Sequence, residues 1–279
     1  MNRNYLRYSL LPFVYLLLTL IVRAQQFPCG TTVSQAQQDF EAALADTVSQ
    51  VIELNRTFHL AVFITEDNDG ETNVDPAEIT KAISELNTAF ERIKVTFALH
   101  SLSYIDNYHF DEIHLENNEK DLITQNNVRN LINLFLVFHL YNEAGQEICG
   151  YTYFPSDSTD AILLNKACLN GTFLTAQIGH FFNLYHTHET SFGIELVARS
   201  NCQTAGDLCC DTPADPDLTL NVSPDCQYTG KLKDASGDYY ITTTANYMSS
   251  SPLDCRCYFS DKQYRRMINC MLQVKDYLW

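Results

Sequence analysis

Hydrophobic positions along the chain repeat at two spacings, which together predict alternating strands and helices. Apolar positions that recur every three or four residues predict a helix over residues 76–93, with Asp75 as its cap. Two more helices are expected, one from about residue 172 and a short one over 260–275. Short apolar runs predict strands in FHLAVFIT (58–65), KVTFALHSLSYI (94–105), LINLFLVFHL (131–140), GYTYFP (150–155) and AILLNKA (161–167).

The order of these elements predicts an α/β (α+β) domain with one mixed, twisted sheet. After residue 190 the periodicity fades until the final helix. Seven of the ten cysteines fall between positions 202 and 270, which predicts a loop-rich part stapled by disulfides. We therefore expect an N-terminal subdomain over residues 25–186 and a Cys-rich C-terminal subdomain over residues 187–279.

The first 24 residues have the pattern of a secretory signal peptide. Arg3 and Arg7 precede an apolar run over residues 10–22, and cleavage is expected after Ala24. The alternative is an uncleaved membrane anchor, but a run of about 13 residues is short for spanning a bilayer. Export to an oxidising compartment, together with the even number of cysteines, favours disulfides over free thiols.

The charge of the chain excludes some classes of partner. Removing residues 1–24 removes three arginines and no acids, so 18 − 3 = 15 basic residues face 34 acidic ones, a formal net charge of −19. Such a surface repels nucleic acid and anionic membranes. It also offers carboxylates to calcium, although acidic surfaces usually serve solubility.

The segment TAQIGHFFNLYH, residues 175–186, looks like the end of a zinc-protease motif. His180 and His186 stand at the second and third ligand positions of that motif. Six helical steps between two ligands would turn the second one away from the metal, so the helix must break between them. Asn183 stands at the breaking position, and asparagine adopts the left-handed conformation more readily than most residues.

The groups that carry the chemistry of this motif are missing. Ala176 replaces the first histidine and has no lone pair for a metal. Gln177 replaces the glutamate, and an amide is not a useful base. His188 is not expected to replace the lost ligand. We expect His180 and His186 to hydrogen-bond each other or water, with zinc absent or weakly bound.

Further motifs, in the same order along residues 30–275, resemble the pappalysin-like metzincins, a family of secreted zinc endopeptidases. The resemblance implies the metzincin fold, with a long helix and an active-site helix on the sheet. CGT resembles the start of the mature domain, so residues 25–28 are too few for a latency peptide, and no separate cysteine switch is expected. The matching segments are CGT (29–31), ISELNTAFERIKVTFAL (83–99), GYTYFP (150–155), GDLCCDTP (206–213) and NYMSSSPLDCRCYFSDKQYRRM (246–267).

The resemblance also implies roles for individual residues. Met248 is the methionine of the turn below the metal, and Ser250 replaces the tyrosine that contacts the reaction intermediate. Asp207 and Thr212 fall where family members bind calcium, although a plain turn explains them equally well. The cysteines at disulfide positions of the family are Cys202, Cys226 and Cys255, of which the last two are expected to pair.

Three functions remain open at this point. The first is an inactive, secreted metallopeptidase homologue whose cleft binds a peptide or protein. The second is an active secreted zinc metalloendopeptidase with an unorthodox site, which would need another base and another ligand. The third is a purely structural secreted domain.

Overall fold

The computed structural model describes residues 28–67, 69–157 and 159–279, so the expected signal peptide lies outside the described residues. No α-helix in these ranges is long and apolar enough to cross a membrane. The helices are Gln35–Ala43 (α1), Pro76–Phe90 (α2), Glu119–Asn126 (α3), Gly171–Phe181 (α4) and Asp261–Gln273 (α5). The strands are Arg56–Thr65 (β1), Val95–Ile105 (β2), Glu112–His114 (β3), Ile132–Val137 (β4), His139–Tyr141 (β5), Gly150–Thr152 (β6) and Ala161–Asn165 (β7).

Five strands form one mixed sheet, which confirms the predicted fold class. Their order is β2-β1-β4-β7-β6, and β6 alone runs antiparallel to its neighbour. All residues of β4 and β7 are buried, as expected for central parallel strands covered on both faces. The run predicted as one strand over 131–140 is two strands, because β5 leaves the main sheet and pairs with β3.

Two apolar layers cover the sheet. On one face, α2, α4 and α5 bury a core in which Phe58 and Phe182 pack with ring centroids 4.9 Å apart. On the other face, Phe63 stacks on Phe135 at 4.9 Å among residues from α3 and the small sheet. The contact between Phe58 and Phe182 joins β1 to the end of the helix that carries the motif, so the sheet supports the candidate site.

Disulfides staple the loop-rich part, but they do not use every cysteine. Cys226 is bonded to Cys255, the pair that the resemblance implied. The other disulfides are Cys149–Cys168 and Cys202–Cys210. The expectation that free thiols are absent is wrong for four cysteines, which remain unpaired in the structure. Two of them are buried and pack as small apolar side chains. The unpaired cysteines are Cys29, Cys209, Cys257 and Cys270.

Helix α1, which the sequence pattern did not predict, is held by polar contacts. Glu41 and Arg266 form a bidentate ion pair at 2.8 and 2.9 Å, with side chains only 16% and 11% exposed. Burial opposes ionisation of Glu41, but Arg266 outweighs it and the pKa of this carboxyl lies below its ordinary value. The same carboxylate accepts hydrogen bonds from Asn183 and Tyr185, so α1 is tied to the chain just beyond α4.

We expect Glu41→Ala to lower the free energy of unfolding by about 3 kcal/mol, because the guanidinium of Arg266 would remain buried as an unpaired charge. Urea unfolding followed by circular dichroism measures this loss. The matched control is Glu53→Ala at an exposed position, which should change stability by less than about 0.5 kcal/mol. Equal losses in the two variants would contradict the role given to the ion pair.

Candidate functional site

The motif helix ends where the sequence predicted a break. Helix α4 stops at Phe181, and Asn183 adopts a left-handed conformation with φ of 71°. The amide group of Asn183 is fixed on both sides: its oxygen accepts from Gln37 at 2.7 Å, and its nitrogen donates to Glu41 at 3.0 Å. At the break, Asn183 therefore has a backbone conformation that few residues adopt and a side chain that anchors α1.

The break brings the two histidines of the motif together. The rings of His180 and His186 lie 4.5 Å apart, centroid to centroid, at an angle of 76°. Each Nδ1 atom donates to a backbone carbonyl, that of Leu184 at 2.8 Å and that of Met248 at 3.2 Å. With Nδ1 protonated, Nε2 keeps its lone pair when the ring is neutral and becomes a hydrogen-bond donor when the ring is charged. The expectation was that the two histidines bond each other or water, whereas in the structure each Nδ1 bonds a backbone carbonyl.

Met248 lies directly against the motif helix, as the resemblance implied. A Cβ atom added to Gly179 would sit 2.6 Å from the sulfur of Met248, so only glycine permits this approach. Met248 is fully buried, and its carbonyl also accepts from the backbone of Thr187. The methionine turn therefore holds both the helix and the segment that follows the break.

Cys29 completes a group that the sequence analysis missed. Its sulfur lies 3.7 Å from Nε2 of His180, and the ligand atoms of Cys29, His180 and His186 all lie within 4.8 Å of one another. Burial opposes ionisation of the thiol, but the charge of His186 and hydrogen bonds from both imidazoles hold its pKa well below the ordinary value. The sequence analysis expected no separate cysteine switch and placed no cysteine in this group.

A clue to Cys29 was present in the sequence. The resemblance accounts for CGT only as the beginning of the mature domain. A thiol that follows a signal peptide directly and has no obvious disulfide partner is a candidate ligand.

Gln177 is buried and connects three parts of the recess. Its side-chain oxygen accepts from Thr152 at 2.6 Å and from Thr31 at 3.4 Å, and its nitrogen donates to the sulfur of Cys29 at 3.2 Å. Burying an amide is favourable only when its polar atoms find partners, as they do here. Gln177 thus links α4 and β6 to the N-terminal segment.

The N-terminal segment, residues 28–31, lies along the outer edge of β6. Gly30 donates its backbone N–H to Gly150, and Cys149 donates to Pro28, both at 2.8 Å. The hydroxyl of Thr31 accepts the backbone N–H of Thr152 at 3.0 Å. The pairing is parallel, with a bridge between Cys29 and Gly150. The chain itself therefore occupies the edge of the sheet beside the two histidines.

The remaining motif positions offer no metal ligand or base. Ala176 is buried in the core, so the ligand set of the zinc-protease motif does not fit a metal in this chain. The hydroxyl of Ser250 accepts the backbone N–H of Leu218 at 2.6 Å and holds a loop.

His188 lies beside the group without joining it. Its ring stacks on His186 at 4.9 Å, since residues two apart in an extended segment point the same way. Burial lowers the pKa of His188 to about 4. Among the described residues it does not belong to the metal-ligand group.

The loop at which the resemblance implies calcium contains the buried Asp207 and lies against a second buried acid, Glu195. Asp207 accepts from the backbone of Cys209 at 2.9 Å and from the hydroxyl of Thr212 at 3.0 Å. The neighbouring Glu195 is buried, and neither of its carboxylate oxygens has a partner in the described structure. Burial raises the pKa of Asp207 to about 8 and that of Glu195 to about 7. Gly206 leaves room for Glu195, since an added Cβ would lie 2.6 Å from its carboxylate.

Comparison with known proteins gives distant relatives that align with most of the chain. No protein-family model matches it. An extracellular metalloprotease of Arthroderma gypseum is 24% identical over 272 residues, covering 88% of this chain and 83% of the relative. An extracellular metalloprotease of Neurospora crassa is 26% identical over 278 residues, covering 89% of each.

Solved structures from Tannerella forsythia share the fold. A mutant of promirolysin superposes with a TM-score of 0.66 at 16% identity, covering 90% of this chain and 96% of its own. Mature mirolysin in complex with a cleaved peptide gives a TM-score of 0.61 at 16% identity, covering 82% of this chain and 96% of its own.

The extracellular relatives confirm the prediction of a secreted protein. The shared sheet, motif helix and disulfide-bonded C-terminal part match the mirolysin fold. The chain is therefore a secreted metalloprotease homologue with a metzincin-like fold.

Proposed function

We propose that this chain is a secreted metalloprotease homologue that binds a peptide or protein segment and does not hydrolyse it. The bonding of Gln177 is the observation that carries this proposal. A hydrolytic site needs a base that takes a proton from the attacking water. The oxygen of Gln177 already accepts from Thr152 and Thr31, and its nitrogen donates to Cys29. An amide in this position cannot serve as the base.

The other two lost groups support the same conclusion. Ala176 fills the core at the position of the first ligand. Ser250, at the position of the tyrosine in the family, uses its hydroxyl to hold the backbone of Leu218. Each position that would act in hydrolysis is therefore committed to packing or to a hydrogen bond within the fold.

The edge of β6 is the surface we propose for binding. Mature mirolysin was solved with a cleaved peptide. In this chain, residues 28–31 pair with Gly150 and Thr152, so an incoming peptide must displace them to add a strand there. We propose a partner with an extended segment that competes with the N-terminal segment for this edge.

An active zinc endopeptidase is the competing function, and it requires a replacement base. The metal-ligand group in the described ranges contains Cys29, His180 and His186, with no carboxylate among them. A purely structural domain is the remaining alternative, and it predicts no binding of peptides at the β6 edge.

We expect a purified chain beginning at Gln25 to leave denatured protein and peptide libraries uncut, with and without a chelator. The comparison variant carries Ala176→His, Gln177→Glu and Ser250→Tyr, together with Cys29→Ser to free the recess. It should gain zinc and cleavage that a chelator stops, because ligand, base and tyrosine are restored. Mass spectrometry of the products measures cleavage.

Cleavage by the unmodified chain that a chelator abolishes would overturn the proposal. A folded revertant without zinc would show that residues 176, 180 and 186 do not correspond to the three ligands of the motif. Selection of unlabelled peptides that protect the β6 edge from hydrogen exchange would separate a binding cleft from a purely structural domain.

We also propose a calcium ion at the acidic loop. Glu195 is a buried carboxyl group without a partner among the described residues, and it lies beside the buried carboxyl of Asp207, so a bound cation would favour the ionised form of both acids. Hard oxygen ligands of this type suit calcium. Thr212 and Asp207 already bond to each other, so Glu195 is the side chain with free donor atoms for the ion.

Calcium should raise the midpoint of thermal unfolding relative to the chain in a calcium chelator. Calcium at about 100 times its Kd would add about 2.7 kcal/mol to the stability. Glu195→Gln should remove most of this gain, whereas Glu53→Gln at an exposed position should keep it. Differential scanning calorimetry provides the measurement. An unmodified chain whose unfolding midpoint does not change with calcium would contradict the proposal.

A further inference from the structure

We propose that Asn55 and Asn170 carry N-linked glycans, which are attached while the chain passes through the secretory pathway. Each asparagine begins an Asn-X-Thr sequence without proline in the middle, NRT at residues 55–57 and NGT at residues 170–172. This sequence is the acceptor for N-linked glycosylation in secreted proteins. Attachment at these sites depends on secretion and not on whether the cleft binds or hydrolyses peptides.

The modification changes only the side-chain nitrogen of the asparagine. Nδ2 loses one proton and forms a bond to C1 of the first N-acetylglucosamine. The bond between that sugar and the pyrophosphate of a lipid-linked oligosaccharide breaks, and the lipid pyrophosphate leaves with the proton. The side-chain oxygen remains a hydrogen-bond acceptor, so any role of that oxygen in the fold is kept.

Asn170 uses only its side-chain oxygen in the fold. It caps α4, and its Oδ1 accepts the backbone N–H of Thr172 at 2.8 Å and that of Phe173 at 3.4 Å. The residue is exposed, and its Nδ2 donates to no other group in the described part of the chain. A glycan on Nδ2 is therefore compatible with the cap.

Asn55 lies in the turn just before β1. Its backbone is left-handed, with φ of 51°, and its side chain is exposed. It borders an open groove of about 530 Å³ that is lined by polar residues of α2 and β2, among them Ser84, Thr88 and Thr96. The groove has room for the first sugar and offers hydroxyl groups to it, so the fold accommodates a glycan at this position.

The third residue of each sequence distinguishes these two sites from Asn221. The hydroxyls of Thr57 and Thr172 make no hydrogen bond with any described residue, so no contact in the fold accounts for them. In NVS, residues 221–223, the hydroxyl of Ser223 donates to Asp225 at 2.5 Å and holds a turn. Asn221 is also only half exposed. Asn221 is therefore not an expected acceptor.

Both acceptors lie away from the β6 edge. Asn55 precedes β1, which is separated from β6 by β4 and β7 in the sheet. Asn170 and His180 lie ten residues apart toward opposite ends of α4, which is about 15 Å along the helix axis. Gly171 packs against Glu85, and Asn55 borders the groove beside α2, so both glycans begin next to α2. They are attached outside the recess and leave the proposed binding edge accessible.

Mass spectrometry of the full chain secreted from yeast tests the two sites. Peptide:N-glycosidase F in heavy-oxygen water converts each glycosylated asparagine into a labelled aspartate. We expect the label at Asn55 and Asn170 in most molecules and none at Asn221. Absence of the label at either of the first two positions, or its presence at Asn221, would overturn the assignment.

Paired substitutions separate the glycan from the fold. Thr57→Ala and Thr172→Ala should each remove one glycan, whereas Thr57→Ser and Thr172→Ser should keep it, because serine also completes the acceptor sequence. Asn170→Ser should remove the glycan while serine still caps α4, so this variant remains folded. Alanine variants that are secreted with both glycans would contradict the proposal.

Discussion

The reversal of the chain at Asn183 is the constraint on which the candidate site depends. Its left-handed backbone ends α4 and turns the following segment back, so that His186 faces His180. A continued helix would carry His186 to another face. The carbonyl of Met248 then fixes the ring of His186, so the two halves of the site are held by backbone geometry as well as by side chains.

The same turn also determines where the N-terminal part of the chain lies. Asn183 bonds Gln37 and Glu41 of α1, and Glu41 is neutralised by Arg266 of α5. With α1 anchored there, the residues just before it run along β6 and carry Cys29 into the recess. The helix break, the packing of α1 and the position of the thiol are therefore one connected arrangement.

The residues at the motif positions are each held by packing or hydrogen bonds within the fold. Gln177 satisfies buried hydroxyls and a thiol, Ala176 fills the core, and Ser250 supports a loop. Each residue has a structural contact that explains its presence. Alanine and glutamine at positions 176 and 177 are compatible with the fold of mirolysin, because the sheet and the apolar layers do not depend on a ligand or a base at these positions.

Local spacing determined the sheet, the motif helix and the break at Asn183, because periodicity and backbone preference are encoded in neighbouring residues. Helix α1 and the two short strands β3 and β5 could not be found this way, since polar long-range contacts and strand pairing hold them. Cys29 is 151 residues from His180, so only the pairing of the N-terminal segment with β6 could bring the two together. Tertiary structure alone decided that a thiol stands among the histidines, because a short motif contains no information about a distant segment.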